Sequence, residues 1–97
     1  MIKIEVVLKN KNGLHLRPAG ELMSKVHAHR KINGHDSVDV KIKRGEQMAS
    51  ATSMIEMLML AATSGTKLAI VLTGPDKEKF LPVIKKFFEE EIHLYDE

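Results

Sequence analysis

Val38-Asp39-Val40-Lys41-Ile42-Lys43-Arg44-Gly45 decides the fold class. Apolar and charged residues alternate strictly, so in an extended chain Val38, Val40 and Ile42 share one face while Asp39, Lys41 and Lys43 share the other. One buried face and one wet face is the mark of an antiparallel sheet, because strands of a parallel sheet covered on both sides read as continuous apolar runs. Arg44-Gly45 turns the chain, and residues 47–51 supply a short return strand. Upstream, residues 30–36 are polar and contain Asn33-Gly34, which reads as a surface loop. Before it, Leu16, Ala19, Leu22, Met23 and Val26 recur at helical spacing, so residues 16–29 form a helix with one buried face. Gly20 costs that helix about 1 kcal/mol relative to alanine unless close packing requires it. Residues 2–8 read as a strand, and Lys9-Asn10-Lys11-Asn12-Gly13 supplies turn chemistry after it.

Downstream, Thr52 or Ser53 caps a brief helix over residues 54–60 in which only Glu56 is polar, so one face is core and another is exposed unless the whole helix is buried. After Gly65, residues 67–73 form a β-rich run, and Gly74-Pro75-Asp76 turns into a last helix whose Phe80, Val83, Ile84, Phe87 and Phe88 lie on one face. Pro82 leaves its beginning open: a start at Asp76 makes the proline interior, a start near Leu81 makes it a first-turn residue. Glu89-Glu90-Glu91 lies at the negative end of the macrodipole, where fraying is expected. The order β-α-β-β-α-β-α predicts an α+β fold, an open-faced sandwich of a four-stranded antiparallel sheet with three helices on one side, in a single domain over residues 1–97.

Chemistry concentrates in Gly13-Leu14-His15-Leu16-Arg17-Pro18-Ala19. Proline in a first turn loses no needed hydrogen bond and presets φ, so Leu16, Arg17, Pro18 and Ala19 read as a helix start just after a histidine. Unpaired N–H groups and the positive dipole end at such a start suit a phosphoryl group carried on His15, and Arg17 adds a charge-assisted contact. Gly13 lets the chain turn tightly into the site. The bland alternative is a capping or surface histidine beside an unrelated helix. His27 and His29 are two apart and share no helix face, His35 falls in a loop and His93 near the end; all four read as solvated surface histidines.

Composition sets bounds around this motif. At 97 residues, with 43% hydrophobic and 29% charged, the chain is globular and fits one core. Without cysteine, disulfides and thiolate metal sites are excluded, and no apolar run reaches transmembrane length. A formal charge of +2 with one tyrosine and three phenylalanines offers nucleic acid little. The opening residues lack a secretory signal, so a cytoplasmic location is expected.

With these residues in view, the chain resembles the HPr family, the histidine-containing phosphocarriers of the bacterial sugar phosphotransferase system. The heptapeptide matches the family's active-site motif. The resemblance implies His15 as phosphoryl acceptor through Nδ1, Arg17 as the phosphoryl contact, and Leu16 to Ala19 as the helix start beneath it. It further implies a regulatory serine at Ser53, phosphorylated in Gram-positive members by a dedicated kinase, although serine there is also an ordinary cap. Met54, Ile55 and Leu58 match the face that docks enzyme I and enzyme IIA, with Met57 and Leu60 turned to the core. No cofactor and no metal, no membrane insertion and a monomeric state complete the expectation. The chain would be an intermediate that passes phosphate on, not an independent catalyst. Two departures stand out: Leu16 replaces the small residue usual between the histidine and arginine, and the loop over residues 30–36 is longer than typical. A nitrogen-related carrier and a binding-only regulatory paralogue are the alternatives, the latter disfavoured by the presence of His15. A small ferredoxin-like ligand or RNA-binding domain shares a related layout but needs sheet-face aromatics, which are missing.

Overall fold

A computed structural model describes residues 1–96. In chain order it contains β1 (Ile2–Val7), α1 (Leu16–Asn33), β2 (Asp39–Arg44), β3 (Gln47–Ser50), α2 (Met54–Met59), β4 (Lys67–Thr73) and α3 (Lys77–Glu89), followed by a 3-10 helix over Glu91–Tyr95. The sheet runs β1-β4-β2-β3 with every neighbouring pair antiparallel. Its register lines up Ile4, Ile70, Ile42 and Ala49 across all four strands, and Ile2, Leu72 and Val40 in the next row. Those rows face the helices, while Lys3, Glu5, Lys41, Lys43 and Lys67 occupy the open face. Leu22 and Val26 of α1, Met57 of α2, and Phe80, Ile84 and Phe87 of α3 are fully buried against the rows. Each such side chain contributes about 1.5–3 kcal/mol of burial. The expected open-faced sandwich is therefore the architecture present.

Several local readings need correction. Residues 30–33, expected in a loop, continue α1, which ends at Gly34 with φ 112° and its N–H bonded to the Arg30 carbonyl at 2.8 Å. Arg30 and Lys31 are the helix's last-turn cations, favourable at its negative end. Arg30 is also held from beyond the turn: Nε donates to the Val38 carbonyl at 2.8 Å and Nη2 to Asp39 at 3.0 Å. The extra length read as loop is thus mostly another turn of helix. Leu16, placed on the apolar face by its spacing, is exposed instead.

Pro82 lies inside α3, so the first of its two alternatives holds. Its missing N–H leaves the Glu78 carbonyl without an intrahelical donor, and both residues are exposed, so that carbonyl is open to solvent. The acidic run at 89–91 holds the end of α3, at Glu89. The chain turns at Glu90 into the 3-10 helix, which buries Ile92 completely and sets Glu91 3.1 Å from Lys25 of α1. A Cβ at Gly20 would stand 3.1 Å from the flexible methyl end of Met54, where α2 approaches α1, a close contact that a shift of a few tenths of an ångström relieves.

Candidate functional site

The loop before α1 is zipped to the loop before β4. Leu8 donates to Thr66 at 2.9 Å, Gly65 to Leu8 at 2.6 Å, and Leu14 to Ala62 at 2.9 Å. Gly13 sits at φ +67° so close to the loop before β4 that a Cβ would clash with the Ala62 carbonyl oxygen. Opposite it, Ala61 takes the left-handed position just past α2, at φ 50°, where glycine is the common choice. Arg44 serves the carbonyls there, bonding Leu60 at 2.8 Å and Ala61 at 3.3 Å.

This clamp delivers His15 to the N-cap of α1 in extended conformation, with its carbonyl accepting the Ala19 N–H at 3.0 Å. The His15 side chain makes no capping bond. The N–H groups of Leu16 and Arg17 have no acceptor within the helix, and Pro18, third in the helix, would have had none either. The histidine is half-buried, and Nε2 is its enclosed end, with no hydrogen-bond partner among the described residues.

Arg17, one position into the turn, lies with Cζ 5.3 Å from the centre of the Tyr95 ring. The Tyr95 hydroxyl is pushed above its ordinary value by desolvation and by the Glu21 carboxylate, against the opposing charges of Lys25 and Arg17. It is therefore a neutral donor at neutral pH. Next in the chain, Asp96 accepts from the backbone N–H of Lys11 at 2.8 Å and of Asn12 at 3.3 Å, and from the Asn10 amide at 3.4 Å. The same buried Asn10 amide donates to the Gly13 carbonyl at 2.7 Å. The segment after α3 thus grips the loop that leads into His15. None of this was legible in the sequence, where Tyr95 and Asp96 belong to no motif.

Desolvation pushes the Asp96 carboxyl upward, but the Lys11 and Asn12 N–H groups, the Asn10 amide and His93 outweigh it and hold it below the ordinary aspartate value. A value lowered in the folded protein contributes stability that is complete above the unfolded value and lost as pH falls through the folded one. On acidification the Lys11 and Asn12 amide resonances should shift together, with a midpoint below that of a free aspartate. A midpoint at or above it would mean that the grip does not form in solution.

The short helix α2 is capped by Ser53, whose Oγ accepts the Glu56 N–H at 3.3 Å. Glu56 in turn accepts the Ser50 N–H at 2.9 Å, so the cap is tied to the end of β3. Of the residues assigned to docking, Ile55 is 70% exposed and Leu58 is also exposed, while Met54 is half-buried against the core. Met57 and Leu60 point inward as expected. Met59, 71% exposed, joins the outer face unforeseen, because in a helix this greasy periodicity does not separate the sides. Leu16 adds its own exposed side chain next to His15.

Among the other histidines, His29 is not solvated. Its Nε2 lies 2.9 Å from Asp76 Oδ2 at the start of α3, and its ring packs edge-on against Phe80 at 5.1 Å. The partner is 47 positions away, beyond the reach of a spacing argument. His27, His35 and His93 are exposed. Among the described residues no group of His, Cys, Asp and Glu could hold a metal ion, and no helix is long and apolar enough to cross a membrane.

Residues 2–90 match the family model described as the PTS HPr component phosphorylation site. The chain is 32% identical over 78 residues to a phosphocarrier protein HPr of Borreliella burgdorferi, covering 80% of this chain and 83% of that protein. It is 32% identical over 88 residues to a phosphocarrier protein NPr of Escherichia coli K12, covering 90% of each. A multiphosphoryl transfer protein of Haemophilus influenzae is also 32% identical over 88 residues, but the chain spans only 17% of its length. Among solved structures, a phosphocarrier protein HPr of Bacillus anthracis superposes with a TM-score of 0.76 at 24% identity, over 91% of this chain and 96% of that one, a likeness of fold.

Proposed function

The chain belongs to the HPr family of phosphotransferase-system components, and from that premise we propose that it accepts a phosphoryl group on His15 and passes it on, as a cytoplasmic carrier between enzyme I and an enzyme IIA. The observation that carries this reading is the placement of His15 at the N-cap of α1 with Nε2 enclosed and unpartnered, which leaves Nδ1 for attack. The lone pair of a neutral His15 ring bonds to phosphorus as the donor–phosphorus bond breaks, and the donor leaves with its electron pair. Negative charge on the phosphoryl oxygens then meets the Leu16 and Arg17 N–H groups, the positive end of α1 and the Arg17 guanidinium. Positioning and fixed donors do this work, so the protein is an intermediate in transfer.

Incubation with phosphoenolpyruvate, magnesium and a catalytic amount of enzyme I from the same organism tests the proposal by intact mass. An acid-labile gain of one phosphoryl group is expected; none would favour the binding-only regulator. Equal likeness to proteins named HPr and NPr supports two branches. We take the sugar system as the first reading and a nitrogen-related carrier as the second. Running the assay with each branch's enzyme I as donor separates them, the faster donor naming the branch.

Ser53 is proposed as a regulatory site for a serine kinase and its phosphorylase. A phosphate there places roughly −1.5 to −2 charges beside Ile55 and Leu58, next to Glu56, where a partner would have to desolvate it. Aspartate caps a helix as well as serine does, so Ser53→Asp should leave thermal stability unchanged while slowing transfer from enzyme I about tenfold or more. An unchanged transfer rate would remove the regulatory role.

A further inference from the structure

Arg17, Glu21 and Lys25 stand one turn apart on a single stripe of α1, and the 3-10 helix lies along that stripe. Glu91 meets Lys25 at 3.1 Å, Lys25 approaches Glu21 at 3.7 Å, and the Tyr95 ring lies against the Arg17 guanidinium with Cζ 5.3 Å from its centre. Ile92, wholly buried, anchors the segment from beneath, and Asp96 pins its far end to the amides of Lys11 and Asn12. The cation that would meet the phosphoryl group is therefore stacked on a ring whose segment is anchored before it by Ile92 and after it by Asp96.

From this we propose that Tyr95 is a positioning residue for Arg17, holding the guanidinium at the rim of the His15 site through its ring face. The inference rests on the carrier reading and adds to it a residue outside the heptapeptide. An arginine on a flexible stem loses rotamer freedom whenever it must meet a phosphate. A ring that already confines it removes part of that loss before transfer begins. A cation over an aromatic face needs the face and not the hydroxyl, so phenylalanine keeps most of the effect and alanine none.

The test measures the rate of phosphoryl transfer from phosphorylated enzyme I to His15 in the wild type, Tyr95→Phe, Tyr95→Ala, Arg17→Ala and the Tyr95→Ala/Arg17→Ala pair. The Arg17 Nε–H resonance is followed in the first three. Tyr95→Ala is expected to slow transfer about fivefold, Tyr95→Phe less than twofold, and Tyr95→Ala to add nothing once Arg17 is gone. The Arg17 resonance should lose its ring-current shift in Tyr95→Ala and keep it in Tyr95→Phe. An equal slowing by Tyr95→Ala with and without Arg17 would make the residue merely structural and overturn the proposal, as would a resonance indifferent to Tyr95. Absence of phosphate on the wild type would overturn the carrier reading and this role together, whereas normal transfer in every Tyr95 variant would overturn this role alone.

Discussion

In His15→Ala, phosphate uptake from enzyme I is expected to fall below detection, with the fold intact. The side chain makes no capping bond to α1 and Nε2 has no partner, so its removal breaks no hydrogen bond of the described protein. What disappears is the nucleophile, and no second histidine can replace it. His29 is engaged with Asp76 and Phe80, and none of His27, His35 and His93 stands at the N-cap of a helix, where first-turn amides could reach it. Intact mass before and after mild acid reads the result. Acid-labile phosphate surviving on His15→Ala would move the acceptor elsewhere and undo the assignment of the heptapeptide.

Gly13→Ala should destabilise the protein by about 3–5 kcal/mol, combining the strain of a left-handed non-glycine residue with overpacking against backbone. The new methyl would stand 2.2 Å from the Ala62 oxygen, 2.7 Å from Thr63 Cα and 2.9 Å from the Thr63 carbonyl carbon. These are backbone atoms and cannot rotate away. Gly45 supplies the control, because its φ of +60° is similar and nothing lies within 4 Å of the site of its missing Cβ. Gly45→Ala should therefore cost only the conformational part, about 1–2 kcal/mol. Urea midpoints at constant slope separate the two variants. Equal costs at both glycines would mean that the loop around Ala62 yields, and that the clamp behind His15 is softer than its distances imply.

What was legible in the sequence was what neighbours in the chain determine. The alternation of Val38, Val40 and Ile42, the run from Leu68 to Leu72 and the Phe80 to Phe88 face each declare their element through periodicity, and β4 spans Lys67–Thr73 as its composition indicates. The His15 motif was legible for the same reason, since glycine, histidine and proline act within one turn of one another. Misreadings occurred where the deciding atom lies elsewhere. Residues 30–33 looked like a loop because the Val38 and Asp39 groups that hold Arg30 come after the turn. His29 looked solvated because Asp76 is on another helix. The largest omission, Tyr95 and Asp96 at the site, combines both causes: single residues of no motif, joined to their partners by tertiary contact alone.

The hold of Asp96 on Lys11, across 85 positions of sequence, also orders events during synthesis. Chains leave the ribosome with the N-terminal end first. His15 and α1 emerge early and their contacts are local, but the loop before them keeps open amides until the 3-10 segment has been made and has docked. On a nascent chain the histidine is therefore exposed to solvent long before its surroundings are finished, and the site matures as one of the last steps of folding.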